Sequence, residues 1–313
     1  MQLFKNKTSF DFLGAGRRRM AILFSAFLIV ISVLSLATRG LELGIDFTGG
    51  VLLEVGYPGP ANLDSIRVNL AAAGFDDAQV QQFGTETDVL VRLPPQLNIA
   101  ANELRRRLQE TLEASGESVD LRRVELVSPQ VGEELTEQGA TAMIIALLMI
   151  FAYVMFRFQW KFSAGAVAAL VHDVIVTVGV FSVFALPFDL TVVAAMLAVV
   201  GYSLNDTVVA FDRIRENFIK LRGVSAEESM NISINEMLAR TLITGITTLI
   251  VLVALLLLGG ESIGPFSIAL IIGIVIGTYS SIYTASATAL MLGINAQDLL
   301  EPVRDPDLID DLP

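Results

Sequence analysis

Six stretches of this chain run 18 residues or longer with almost no charge, and they dictate most of what it can fold into. Met20 to Thr38 has 19 residues and no Asp, Glu, Lys or Arg. Gly139 to Phe156 has 18, again with none. Segments of this length cross a hydrocarbon core as helices. No water is available there, so every backbone group must find its partner inside the segment. The four remaining runs are Phe162 to Pro187, Leu190 to Phe211, Thr241 to Leu258 and about Phe266 to Leu292. The composition agrees: 53% of the 313 residues are hydrophobic and 17% charged, with a mean hydropathy of +0.64. A soluble domain is about 25% charged. Arg17, Arg18 and Arg19 before the first run also fit a signal peptide. A retained helix is the better reading, because the run is long and no small-x-small cleavage site ends it.

Several chemistries are excluded at once. There is no cysteine, hence no disulfide and no thiol chemistry. His172 is the single histidine, so no multi-histidine metal site forms and neither metal nor cofactor is expected. The net charge of −12 argues against nucleic acid as a partner. Gly49-Gly50 lacks the lysine and the spacing of a phosphate-binding loop, so nucleotide hydrolysis is not expected and the chain does not read as an enzyme.

Residues 39–138 read as a soluble insert, with 17 Asp and Glu against 8 Lys and Arg. Gly44 to Val55 is a loop running into a strand. Asn62 to Ala73 has helical spacing (Leu63, Ile66, Leu70) and closes at Gly74. Gln79 to Phe83 and Asp88 to Leu93 read as strands around the polar turn Gly84-Thr85-Glu86-Thr87. Asn98 to Ala114 is amphipathic, with Leu104, Leu108 and Leu112 on one face, and Val119 to Val127 alternates as a strand. The order β-α-β-β-α-β is the ferredoxin-like arrangement. The expected architecture is therefore an α-helical membrane protein of six transmembrane helices, with an α+β ferredoxin-like domain between the first two. Its parts are an N-terminus and first helix (1–38), an outer domain (39–138), a five-helix bundle with a loop at 212–239 (139–292), and an acidic tail (293–313). Membrane-proximal Lys and Arg concentrate before the first span, at 157–161 and at 212–240, whereas the turns at 186–190 and 259–265 have none. By the positive-inside rule both termini are cytoplasmic and the 39–138 domain is extracytoplasmic.

Within the spans the ionisable residues are few. Asp206 is the one formal charge between Leu190 and Phe211. A carboxylate in hydrocarbon costs about 2.5–3.5 kcal/mol on insertion scales, so it faces protein or water and marks a functional site. Arg240 opens the next span at a similar depth and is its natural partner; Thr244 lies one turn on along the same face, with Thr247 or Thr248 continuing the stripe. Arg240 also suits an interfacial positive-inside role, and Thr244 could bond its own i−4 carbonyl. His172 and Asp173 sit about mid-span and read either as a proton relay or as a polar contact between helices. Asp46, Gly49 and Gly50 read as a tight turn, or a hinge, joining membrane and outer domain.

Particular motifs point to a family. Leu43-Gly44-Ile45-Asp46-Phe47-Thr48-Gly49-Gly50, Gly201-Tyr202-Ser203-Leu204-Asn205-Asp206, Asp212-Arg213-Ile214-Arg215-Glu216-Asn217 and Arg240-Thr241-Leu242-Ile243-Thr244 carry the resemblance. So do Phe156-Arg157-Phe158, His172-Asp173 and Gly277-Thr278-Tyr279-Ser280-Ser281-Ile282-Tyr283. The chain resembles the SecF family, the smaller subunits of the bacterial SecDF accessory translocases in the resistance-nodulation-division (RND) superfamily. The resemblance implies a Sec-pathway subunit that acts with SecD beside the SecYEG channel. It would use the proton-motive force to draw a SecA-dependent preprotein chain outward at a late stage, with YajC and YidC as further partners and membrane lipid around the spans. It also implies that Asp206, Arg240 and Thr244 conduct protons. Two other readings stand beside it: a non-transporting assembly factor of the translocon, and half of a small-molecule RND exporter. The second is disfavoured because one insert of roughly 100 residues lacks the large porter domains of drug pumps.

Overall fold

The computed structural model describes residues 9–96, 99–115, 118–221, 223–260 and 263–295. Most of the expected acidic tail, the first eight residues, Asn98, Gly116, Arg222 and the Glu261–Ser262 part of the last turn lie outside them. Among the described residues six helices are long and apolar enough to cross a membrane.

The first is α1 (Ala15–Thr38). Beyond it come a two-residue strand, β1 (Glu42–Leu43), a single helical turn, α2 (Ile45–Thr48), and β2 (Gly50–Gly56). The outer domain continues with α3 (Leu63–Ala72), β3 (Gln79–Phe83), β4 (Thr85–Leu93), α4 (Ala101–Leu112) and β5 (Asp120–Val127). Its four strands pair antiparallel in the order β3-β4-β2-β5, which is the split βαβ order that the β-α-β-β-α-β pattern implies. Alternate residues of the central strands, Leu53, Val55, Val89 and Val91, are fully buried against Leu70 of α3 and Leu104 and Leu108 of α4. Asn62 caps α3 by accepting from the Asp64 and Ser65 amides at 3.1 Å. The β3–β4 turn is tighter than its polar composition suggests: Gly84 alone, at φ +74°, reverses the chain, and Thr85 to Thr87 already belong to β4. The Thr85 and Thr87 hydroxyls both donate to Asp88, which gives those polar residues partners within the strand.

Helix α5 (Pro129–Arg157) starts ten residues before the charge-free run begins at Gly139, so the outer end of this span stands clear of the apolar stretch. Ser128 caps it and Pro129 occupies its first turn, where a missing N–H costs nothing. Next come α6 (Trp160–Val183), a two-residue strand β6 (Pro187–Phe188), α7 (Leu190–Lys220) and α8 (Ala226–Leu258). The segment 212–239 is therefore not a loop. It consists mainly of the last part of α7 and the first part of α8, with Ser225 capping α8 through the Glu228 amide. The last span is α9 (Gly264–Ser280), a π-helical turn (Ser281–Ala285) and α10 (Ser286–Met291).

Helices α6, α7 and α9 form the packed centre of the bundle. Small residues set their spacing. A Cβ on Gly165 of α6 would come within 2.5 Å of the Ala285 carbonyl oxygen, and one on Gly277 of α9 within 3.1 Å of Ser203 Cβ. By contrast α1, α5 and α8 turn long apolar faces outward, including Phe156, Ile250 and Leu257.

Candidate functional site

Asp206 lies on α7 and is 7% exposed. Among the described residues its Oδ2 atom has no hydrogen-bond partner. It opens on a cavity between α7, the α8 residues Ile234, Leu238 and Thr241, and Ser281 of the π turn. The cavity offers about 10 Å³ to a water's centre, room for one molecule. A buried carboxylate oxygen without a protein partner is costly, and the cavity beside it is where a water would pair with it.

Arg240 and Thr244 are not in contact with it. Arg240 sits on the exposed face of α8, and no salt bridge within 4.0 Å joins it to Asp206. Its charge acts on Asp206 through space. Thr244 Oγ1 donates to the Arg240 and Thr241 carbonyls, both at 3.0 Å. Thr247 and Thr248 likewise bond back into their own helix, so the hydroxyl stripe is satisfied within α8.

The buried polar centre is at His172 and Asp173, which are 1% and 0% exposed. His172 is the thirteenth of the 24 residues of α6, so the pair sits mid-span. His172 Nδ1 lies 3.0 Å from Asp173 Oδ1. The other oxygen, Oδ2, accepts from Ser203 of α7 at 2.6 Å and from Ser280 of α9 at 2.8 Å. One carboxylate thus ties the three central helices together. The tie reaches toward Asp206 from two sides. Ser203 is one turn before Asp206 on the same helix, and Ser281, next to Ser280, bonds Thr207 Oγ1 at 2.8 Å and lines the Asp206 cavity. Ser203, Ser280 and Ser281 fall inside motifs that mark the family, but nothing in the sequence pattern groups them with Thr207. Only the three-helix packing reveals their grouping. The π turn that presents Ser281 is the kind of helix irregularity found at functional sites.

Asp46, Gly49 and Gly50 meet the bundle at its outer end. Asp46 Oδ2 accepts from the Leu190 amide at 2.9 Å, at the N-terminus of α7, where a negative charge is favoured. Asp189 caps the same helix through the Val192 amide at 3.0 Å. β1 pairs in parallel with β6, a contact between the outer linker and the α6–α7 turn with no signature in the sequence. Gly49 and Gly50 have φ of +70° and +130°.

Comparison with known proteins places this arrangement. The family described as "Protein export membrane protein SecD/SecF, C-terminal" matches residues 107–295, and the "SecD/SecF GG Motif" matches 34–57. The chain belongs to the SecD/SecF family. It is 51% identical to the protein translocase subunit SecF of Vibrio alginolyticus over 285 residues, covering 91% of this chain and 90% of that one. The Escherichia coli O157:H7 SecF is 43% identical over 279 residues, 88% and 86% of the two chains. The crystal structure of SecDF from Thermus thermophilus, a translocon-associated membrane protein, superposes with a TM-score of 0.83 at 35% identity. That match covers 93% of this chain and 39% of the SecDF chain. This SecD/SecF family member is a multi-pass membrane protein whose six spans and α+β insert match the SecF part of the family.

Proposed function

We propose that the chain is the SecF half of a proton-driven protein-export unit, with SecD supplying the other half. The observation that carries the reading is the orphan Oδ2 of Asp206, buried beside a one-water cavity between α7, α8 and the π turn. A group that gains and loses a proton as access alternates needs that setting: burial, a small water-sized space, and a cation near but not bound. In this reading Arg240 is the released partner. On loss of the proton, Arg240 swings to the Asp206 carboxylate and Thr244 follows on the same helix, so α8 moves against α7. Asp46, Gly49 and Gly50 pass the motion to the outer domain. The resulting pull acts on a preprotein chain that SecA has driven into SecYEG, with YajC and YidC as neighbours in the assembly. The proton gradient is the energy source, and no nucleotide is hydrolysed. Both termini face the cytoplasm, which the Lys and Arg sorting supports.

The test uses the chain co-reconstituted with SecD and SecYEG in proteoliposomes. Asp206→Asn abolishes proton flux and gradient-dependent completion of export while the complex still assembles. Wild-type flux and export in that variant would sink the reading.

A further inference from the structure

We propose that His172 and Asp173 form a second proton-binding unit, whose charge is coupled to Asp206 through Ser203 and the π turn. This rests on the reading of Asp206 as a proton site. It is a different claim, because Asp206 touches neither residue.

The geometry is that of a proton acceptor with its relay already in place. Asp173 Oδ2 takes two hydroxyl donors, Ser203 at 2.6 Å and Ser280 at 2.8 Å, and hydroxyls can pass a proton on as well as hold one. Asp173 Oδ1 faces His172 Nδ1 at 3.0 Å, so a proton reaching Oδ2 settles on either member of the pair. His172 Nε2 is buried with no partner among the described residues, leaving the imidazole one unsatisfied nitrogen in either tautomer. With the shared proton alone the unit carries one negative charge. With a second it is neutral. Passage through Ser203 is an exchange: its O–H proton moves to Oδ2 as an incoming proton takes its place on the hydroxyl oxygen, and the steps reverse on release. The groups facing the pair are few. Ser203 comes from α7, Ser280 from α9, and the Tyr279 ring lies with its centroid 6.2 Å from that of His172. Tyr279 is itself held from α1 by Ser25 at 3.2 Å and by the Ala21 carbonyl. Among the described residues no Lys, Arg or Glu bonds to the pair.

A purely packing role would need neither the charge nor the histidine. The small neighbours argue for the polar role too. A Cβ on Gly277 would stand 3.5 Å from Asp173 Oδ2 and 3.1 Å from Ser203 Cβ, so the glycine keeps α9 close enough for the Ser280 bond.

Ser203 bonds Asp173 and lies one helical turn before Asp206, and two carboxylates placed that way in a poorly solvated bundle shift one another's titration by roughly one pH unit. The experiment is the pH profile of proton flux in the same SecD-containing proteoliposomes. Asp173→Asn removes the charge, which eases ionisation of Asp206, and the flux midpoint moves down by about one unit. His172→Asn keeps a donor to Oδ1 but cannot share the proton. The charge then persists and the midpoint moves up. Ser280→Ala, which keeps the whole pair, weakens the charged form and moves the midpoint down by a smaller amount; it serves should Asp173→Asn fail to assemble. Opposite shifts from Asp173→Asn and His172→Asn, or a downward shift from Ser280→Ala, support the unit. Midpoints unchanged in the assembled variants overturn it, whatever happens to stability. Loss of flux in Asp206→Asn with an unchanged profile in the His172 and Asp173 variants would leave Asp206 standing and remove this proposal alone.

Discussion

Gly49→Ala is the sharpest test of how the outer domain is fixed to the bundle. Gly49 has φ +70° and ψ 173°, a backbone region that is essentially glycine's alone. A side chain there costs on the order of 1–3 kcal/mol in strain. The added Cβ would also stand 2.8 Å from both the nitrogen and the Cα of Pro129 and 3.1 Å from the Ser128 carbonyl carbon. These are backbone atoms at the capped start of α5, so no side chain can rotate away. Overpacking of this kind costs about 1–3 kcal/mol more. The expected sum, about 2–6 kcal/mol, is at least a 25-fold change in a local opening equilibrium at 1.4 kcal/mol per tenfold. Hydrogen exchange in detergent or nanodiscs reads it directly. Amides of Gly50 to Leu53 and of Gly132 to Leu135 lose protection together, because both sides of the contact open, while those of α3 and α4 keep theirs. Gly59→Ala is the control, since nothing lies within 4 Å of a Cβ there and its φ is ordinary. Equal protection in the Gly49 and Gly59 variants would refute the argument that the turn is sterically locked to α5.

Three further outcomes are expected. The Asn231 and Asn235 side chains hold the segment before α1 onto α8: Asn235 exchanges two bonds with the Phe10 backbone at 2.8 and 2.7 Å, and Asn231 accepts from the Phe12 amide at 2.8 Å. Asn235→Ala loses about 1–3 kcal/mol of that attachment, which limited proteolysis near Phe10 detects as faster cutting. Leu108→Ala empties a fully buried site in the outer domain and costs about 2–5 kcal/mol, seen as a lower thermal midpoint of that domain. For Asp88, burial works against ionisation, but the Thr85 and Arg122 hydrogen bonds outweigh it and hold the carboxyl below its ordinary 3.8. A depressed carboxyl stabilises the fold above its unfolded value and ceases to as pH falls through the folded one. Asp88→Asn therefore narrows the loss of outer-domain stability on acidification, measured by circular dichroism against pH.

The outer domain was legible because its helices and strands carry their own periodicities, and Leu104, Leu108 and Leu112 fell on the buried face as their spacing requires. The inner ends of α7 and α8 were harder to read. Charged residues such as Arg213, Glu216, Lys220 and Glu236 make the region look like a connector, yet they pair with one another along and between the two helices. The cue was present in Ser225-Ala226-Glu227-Glu228, a serine followed three residues later by glutamate, the signature of a helix start. At the candidate site, Asp206, His172 and Asp173 stood out because a charge in an apolar run is conspicuous. Ser203 and Ser280 did not, because they lie 77 positions apart and no one-dimensional pattern brings them to one oxygen. The expected Arg240 partnership rested on depth alone. Depth fixes how far along a helix a residue lies, not which side it faces, and Arg240 faces outward.

Helix α7 is the element that both ends of the molecule share. It has 31 residues, about 46 Å at 1.5 Å per residue, with no proline in its length. Its outer end is gripped by Asp46, Asp189 and, through β6, the β1 pairing. Asp206 lies roughly 24 Å farther in, with Ser203 one turn outward of it and bound to Asp173. At its inner end Asn217 bonds Ser233 and Glu236 of α8 at 3.0 and 2.9 Å. A helix so long and uninterrupted transmits a displacement without absorbing it, because stretching it would break its own hydrogen bonds. An axial shift of even one turn at Asp206 would therefore break the Asp46 bond to Leu190 and the short parallel pairing above it. The turn through Gly49 and Gly50 is the next link outward, and it is wedged against Pro129 of α5. Asp46 binds the start of α7 while Gly49 packs on Pro129 of α5, so this one turn touches both helices where the sheet of the outer domain begins.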